Sequence, residues 1–148
     1  VPIIGICNGF QILTECNLLD GSLIDNYNQL FICKECFLRV ENTESMFSRN
    51  FNKNVVKFPI AHAQGNFYTS KDNLKRLEDN NQIIFRYSSE KGKVNELNNP
   101  NGSLNNIAGI INKEKNVLGL MPHPERAINN SNDKDGIKFF NGLETIIS

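Results

Sequence analysis

The stretch Gly5-Ile6-Cys7-Asn8-Gly9-Phe10-Gln11 decides how the chain is read. The apolar run before it, Val1 to Ile6 with one proline, reads as a buried strand. From Asn8 to Cys16 the apolar residues recur at helical spacing. Cys7 therefore falls where a strand turns sharply into a helix. Gly5 and Gly9 flank that turn and, lacking a Cβ, are expected to give it room. This is the nucleophile-elbow arrangement with cysteine in the place of serine. A thiol at a helix N-terminus faces unpaired backbone N–H groups and the positive end of the dipole. Both favour the thiolate, which is the attacking form. The plainer alternative is that Cys7 is a small buried apolar residue, as many cysteines are.

Composition narrows the field. A chain of 148 residues is long enough for one domain with its own core. Apolar residues make up 39% and charged residues 22%, as in ordinary globular proteins. A formal net charge of +0 gives no electrostatic case for nucleic acid or an anionic membrane surface. No apolar run reaches the length of a membrane span. No signal-peptide pattern opens the chain, and its four cysteines are expected to be reduced thiols in a cytoplasm. The sequence lacks an initiator methionine and opens directly in the elbow strand. A sheet flanked by helices normally has strands on both sides of such a site. The expectation is a fragment that lacks its N-terminal strands.

Beyond the elbow, Asp20-Gly21-Ser22 marks a turn and Leu30 to Val40 a long strand. That strand holds Cys33-Lys-Glu-Cys36, but no second pair at finger-like spacing completes a zinc site. An odd separation on a strand also turns the two thiols to opposite faces. Asn42 to Asn54 is polar and reads as a surface loop, followed by a strand from Val55 to Ala61. Pro59 within it cannot donate to a ladder and argues for an edge position or the strand's end. Next comes the loop His62-Ala63-Gln64-Gly65-Asn66, carrying one of only two histidines. Nothing acidic lies close to His62 in sequence to orient it, which points to a lining or hydrogen-bonding role. Ser70 reads as the cap of a helix through Asn80, with Leu74 and Leu77 facing inward. Gln82 to Tyr87 reads as a strand, and Asn98 to Ser103 is turn chemistry throughout. The apolar runs Ile107 to Ile111 and Val117 to Met121, joined by Asn112–Asn116, fit a hairpin. Phe139, Phe140, Leu143, Ile146 and Ile147 predict a final helix closing one face of the sheet, capped by Asp133 or Asn132.

The second chemical stretch is Met121-Pro122-His123-Pro124-Glu125-Arg126. In an extended segment residues two apart point the same way, so His123 and Glu125 are expected on one side. The two prolines stiffen the mount. A carboxylate accepting one ring N–H fixes the tautomer and leaves the other nitrogen free for a nucleophile. That is the chemistry Cys7 needs, and triad members converge in space whatever their sequence separation. If they meet, the reaction is acyl transfer through a thioester, with the backbone N–H of Asn8 as a natural oxyanion donor. A second donor is expected from another loop, in the missing portion. The plainer alternative is a solvated His–Glu pair on a surface loop.

Taken together, these residues resemble the class I (triad) glutamine amidotransferases, whose pattern is G-x-C-x-G-x-Q followed much later by H-x-E. More narrowly, the chain resembles the glutaminase subunits of phosphoribosylformylglycinamidine synthases of de novo purine biosynthesis. The narrowing features are Cys7-Asn-Gly-Phe-Gln-Ile-Leu13, Leu38-Arg-Val-Glu-Asn42, Pro59-Ile-Ala-His62, Asn99-Pro-Asn-Gly-Ser-Leu-Asn-Asn-Ile-Ala-Gly109 and Gly119-Leu-Met-Pro-His-Pro-Glu-Arg-Ala127. The resemblance implies an α/β fold, a flavodoxin-like sheet flanked by helices and incomplete at the N-terminus. Residues 1–148 would be the C-terminal portion of a single amidotransferase domain. It implies Cys7 as nucleophile, His123 as base and Glu125 as its orienter. Asn8 and Gln11 would serve the substrate, L-glutamine. Ammonia would pass to a separate synthetase subunit that amidates formylglycinamide ribonucleotide; a small accessory subunit is left open. ATP and Mg would belong to that partner, and no cofactor or metal to this chain, which has no phosphate-binding Gly-rich loop. One departure stands out: the family's His-Gly-Glu-Gly is His62-Ala63-Gln64-Gly65 here, with one charge fewer. The rivals are another thiol hydrolase on a similar sheet, such as a γ-glutamyl hydrolase-like or glyoxalase-like enzyme, and a non-catalytic interaction domain.

Overall fold

In the computed structural model, Ile3–Ile6 form β1 and Asn8–Glu15 form α1, with Cys7 alone between them. The structure describes residues 1–128 and 134–147. There follow β2 (Ser22–Ile24), β3 (Ile32–Val40), β4 (Val55–His62), β5 (Asn66–Tyr68), α2 (Lys71–Asp79), β6 (Ile83–Ser88), β7 (Ile107–Ile111), β8 (Val117–Leu120) and α3 (Asp135–Ile147). Single 3-10 turns lie at Glu96–Asn98, Leu104–Asn106 and Pro124–Arg126. The order along the main sheet is β1-β8-β7-β6-β3-β4, while β2 and β5 make a separate ribbon.

Only β1 and β8 run parallel; every other neighbouring pair in the sheet is antiparallel. The α/β class stands, but the sheet is mixed. Parallel pairing sets Ile6 opposite Leu120, so both strands leave the sheet at the same end. β1 is an edge strand among the described residues, and Ile3 is 42% exposed, so the strand expected to be buried is not. At the other edge lies β4, the first of the two positions that Pro59 allows. The Pro59 carbonyl points away from β3 and accepts the His123 backbone N–H at 2.7 Å. The segment that follows β8 therefore reaches across to the β4 edge.

Helix α1 forms because Phe10, Leu13 and Thr14 repeat at helical spacing and bury one face. Phe10 stacks on Phe67, their ring centroids 6.0 Å apart. With Leu23, Leu77, Ile83, Ile107 and Ile110 they form the core on one face of the sheet. Burying a ring of this size stabilises by about 2–3 kcal/mol. Helix α2 is capped by Ser70, whose Oγ accepts from the Asn73 N–H at 3.2 Å, as expected. On the opposite face Phe139 of α3 meets Phe58 edge-on, within a cluster that includes Leu38, Phe85 and Leu118. The final helix thus closes a face, as the periodicity predicts; its candidate caps Asn132 and Asp133 lie outside the described residues.

Residues 42–54 are not a plain surface loop. Phe47 and Phe51 turn inward and are buried, together with Ser45 and Ser48. Asn42 makes this possible: its Oδ1 accepts from the Glu44 and Ser45 N–H groups, and its carbonyl accepts from Ser48 Oγ. Local side-chain bonds of this kind satisfy backbone that would otherwise need water. The hairpin β7–β8 has the connection expected, with Asn112 Oδ1 receiving the N–H groups of Asn116 and Val117 at 2.9 Å.

Candidate active site

Cys7 holds φ 54° and ψ −108°, a region that residues with a Cβ enter only at a cost of about 1–3 kcal/mol. Two backbone bonds keep it there: its N–H donates to Leu120 O at 2.8 Å, and its carbonyl accepts from Gln11 N at 3.3 Å. The thiol makes no cap bond to the helix and instead donates to Ala61 O at 3.6 Å. Gly5 earns its place, because a Cβ there would lie 2.5 Å from Gly9 O and Leu13 Cδ1. Gly9 does not open the turn by small size, since a Cβ there would meet nothing within 4 Å.

His123 arrives from the end of β8, the strand parallel to β1, which is why it reaches the same end of the sheet as Cys7. Its Nδ1 lies 2.5 Å from Glu125 Oε1, while its buried Nε2 has no partner among the described residues. The mount is not extended. Pro124–Arg126 is a 3-10 turn, because proline suits the first helical position, and the Arg126 N–H returns to His123 O at 3.1 Å. The His–Glu pair forms across that turn, with Glu125 partly in solvent.

A cleft of about 700 Å³ is lined by Cys7, Asn8, Gln11, Asp25, Phe31, Cys33, Ala61, His62, Gln64, His123 and Arg126, among others. Cys7, Asn8, Gln11 and His123 thus share one cavity, and Glu125 joins it through the imidazole. Gln11 Nε2 donates to Gln64 Oε1 at 3.2 Å, and Gln64 Nε2 donates to Asp25 Oδ1 at 2.9 Å. His62 is the last residue of β4 rather than part of a loop. Its Nε2 faces Asn101 Nδ2 at 3.0 Å. Asn26 pins its carbonyl at 2.9 Å and takes the Gly65 N–H at 3.1 Å.

The electrostatics correct one expectation. Burial pushes the Cys7 thiol up, outweighing the Asn8 N–H and the Arg126 guanidinium, which lower it; Glu125 raises it further. At rest the sulfur is a thiol, so a base is needed to activate it. His62 is held down to about 4 by burial and by His123. Arg126, Asp25, Asn26 and Asn101 are site residues to which the sequence assigns no role. Asn101 sits inside the quoted Asn-Pro-Asn-Gly-Ser block but reads locally as a turn. Arg126 directly follows Glu125, and that adjacency was the available signal. Cys33 and Cys36 do face opposite ways, exposed and buried. Among the described residues no group of three or more His, Cys, Asp or Glu side chains could hold a metal, and no helix is long and apolar enough to cross a membrane.

Comparison with known proteins places this geometry. Residues 3–137 match the family model of the CobB/CobQ-like glutamine amidotransferase domain. The phosphoribosylformylglycinamidine synthase subunit PurQ of Aquifex aeolicus is 56% identical over 126 residues, covering 84% of this chain and 56% of that protein. The PurQ of Pelagibacter ubique is 51% identical over 142 residues, covering 95% of this chain and 63% of that protein. The chain therefore spans somewhat over half the length of these relatives. A solved structure of PurLQS from Thermotoga maritima superposes with a TM-score of 0.81 at 37% identity, covering 99% of this chain and 62% of that one. A glutamine amidotransferase from Thermotoga maritima shares the fold at a TM-score of 0.52 and 16% identity, covering 97% of this chain and 55% of that one. On that match over residues 3–137, the chain belongs to the CobB/CobQ-like glutamine amidotransferase family.

Proposed function

We propose that the protein hydrolyses L-glutamine as the glutaminase subunit of a phosphoribosylformylglycinamidine synthase and hands ammonia to the synthetase subunit. The observation that carries the reading is the shared cleft. It joins a strained cysteine at a helix start to a histidine whose far nitrogen is held by a carboxylate, in a chain about half identical to PurQ proteins.

The chemistry follows from the geometry. Cys7 passes its proton to His123 Nε2 as sulfur bonds to the carboxamide carbon. The negative charge that develops on oxygen is met by the Asn8 N–H, a kind of donor worth roughly 3–4 kcal/mol in such sites. The imidazolium, steadied by Glu125, protonates the departing nitrogen, and ammonia leaves a glutamyl thioester. Water, giving a proton to His123, then attacks the thioester, releasing glutamate and restoring the thiol. Gln11 and its partner Gln64 would contact the amino-acid end of the substrate. Neither metal nor cofactor has a role in this chain; ATP and Mg would serve the synthetase, in a cytoplasmic complex.

The test uses the full chain assembled with its synthetase. Cys7→Ala is expected to abolish glutamine-dependent amidation and to spare amidation from added ammonia. Loss of both would mean that the thiol is structural. Hydrolysis of glutamyl peptides without glutaminase activity would favour a γ-glutamyl hydrolase-like enzyme instead.

A further inference from the structure

His62 is the buried polar group that this mechanism leaves unused. It is 4% exposed and lines the same cleft as Cys7 and His123. The residue before it, Ala61, takes the Cys7 thiol at 3.6 Å on its carbonyl.

Its tautomer can be read from its neighbours. Asn101 Oδ1 accepts from the Ser103 N–H at 3.1 Å and from Ser103 Oγ at 2.8 Å. Asn101 Nδ2 donates to Gly65 O at 2.8 Å. These bonds fix which end of the amide is nitrogen, and that end faces His62 Nε2 at 3.0 Å. Asn101 Nδ2, which also reaches Tyr87 Oη at 3.2 Å, has hydrogens to give and no lone pair to accept an Nε2–H, which assigns Nε2 as the acceptor and the ring proton to Nδ1. The Nδ1 atom is buried and has no partner among the described residues. The ring packs against Gly65 through its Cδ2 and Nε2 edge, in space that a Cβ at residue 65 would need, 2.2 Å from both atoms. An unpaired buried donor is costly, and its presence in a ligand cleft calls for an acceptor supplied from outside. Burial also keeps the ring neutral near pH 7, so what it offers is a single uncharged donor.

We propose that His62, neutral and protonated on Nδ1, donates a hydrogen bond to an oxygen of the glutamine bound in this cleft. The proposal rests on the glutaminase reading. Asn101 is the positioning residue that holds the tautomer through Nε2.

Two substitutions separate a donor from a structural part, both in the full chain with its synthetase. The side-chain nitrogen of asparagine can take the place of Nδ1, whereas glutamine reaches the place of Nε2. His62→Gln keeps an acceptor for Asn101 but loses the donor, and is expected to lower kcat/KM for glutamine by roughly 10- to 100-fold. His62→Asn recovers a large part of that loss. A rise in KM alone puts the accepting oxygen on the α-carboxylate; a fall in kcat at constant KM puts it on the carboxamide. Normal kinetics in His62→Gln, or equal losses in both variants with folding intact, overturns the proposal. Nitrogen-15 NMR gives a readout that needs no turnover. The Nδ1-protonated tautomer is expected at pH 7, with its proton shifting when glutamine binds the Cys7→Ala protein. An Nε2-protonated ring, or an Nδ1 proton unmoved by bound glutamine, overturns this proposal alone. Failure of the Cys7→Ala protein, with His62 intact, to bind glutamine overturns the glutaminase reading and this proposal with it.

Discussion

The backbone N–H of His123 donates to the carbonyl of Pro59 at 2.7 Å, tying the segment after β8 to the edge strand β4. Pro59 belongs to the edge strand β4, and its carbonyl is free for this bond because it points away from β3. Two residues further on, the Ala61 carbonyl takes the Cys7 thiol. One strand edge thus holds both the nucleophile and the imidazole. Positioning of this kind is what makes a thiol–imidazole pair productive.

Glu125 accepts from His123 Nδ1 and is otherwise partly in solvent, with its side chain 43% exposed. Glu125→Gln therefore removes an orienting charge and little packing. We expect kcat for glutamine to fall by about 10²–10⁴-fold, with an unfolding midpoint close to that of the parent. Steady-state kinetics and thermal melts check both parts, and near-normal turnover would remove Glu125 from the mechanism.

The His62 imidazole makes stability depend on pH. Its value is held down to about 4 in the folded chain, against 6.5 when exposed. Between those values the unfolded chain takes up a proton that the folded chain refuses. This group's contribution is therefore complete above about pH 6.5, is lost as pH falls towards 4, and levels off below, a span on the order of 3 kcal/mol. Urea unfolding from pH 7 to pH 4 measures it, and His62→Gln should flatten that part of the curve.

Gly5 and Gly9 flank the elbow but differ in surroundings. Gly5→Ala forces apart β1 and α1, since its Cβ would fall 2.5 Å from the Gly9 carbonyl oxygen, and should cost about 1–3 kcal/mol. Gly9→Ala meets nothing within 4 Å and sits in a helix, so it should add roughly 0.5–1 kcal/mol. Denaturant midpoints of the two variants should move in opposite directions.

Asp135 is wholly buried at the start of α3. Its Oδ2 accepts the Lys57 N–H of β4 at 2.9 Å and its Oδ1 pairs with Lys53 Nζ at 2.9 Å. Asp135→Ala removes both and should destabilise by about 2–4 kcal/mol, while Asp135→Asn, which keeps an acceptor for the backbone, should lose less. Chemical unfolding ranks the two.

Local patterns were legible in the sequence. The strand-to-helix turn at Cys7, the Ser70 cap and the β7–β8 hairpin each rest on residues a few positions apart, and each formed where it was read. The convergence of Cys7 and His123 on one cleft follows the paired motifs, although no local rule dictates it. What escaped reading depends on distant partners. Phe47 and Phe51 hide among polar residues, and only Asn42's bonds to its own loop let them turn inward. The mixed sheet was hidden because the parallel β1–β8 pairing joins opposite ends of the chain. Thiolate character at Cys7 was expected from the helix start alone, whereas burial under the β4 edge reverses it. The roles of Asp25 and Asn101 emerge only once Gln64 and His62 are seen beside them.

Acylation of Cys7 is the most direct test. The full chain with its synthetase is mixed with carbon-labelled glutamine, quenched in acid within one turnover, and digested for mass analysis. A glutamyl thioester is expected on the peptide carrying Cys7, absent in Cys7→Ala and formed far more slowly in His123→Ala. Glutamine hydrolysed at the normal rate with Cys7 never acylated, or with the label on another residue, would contradict the shared-cleft mechanism.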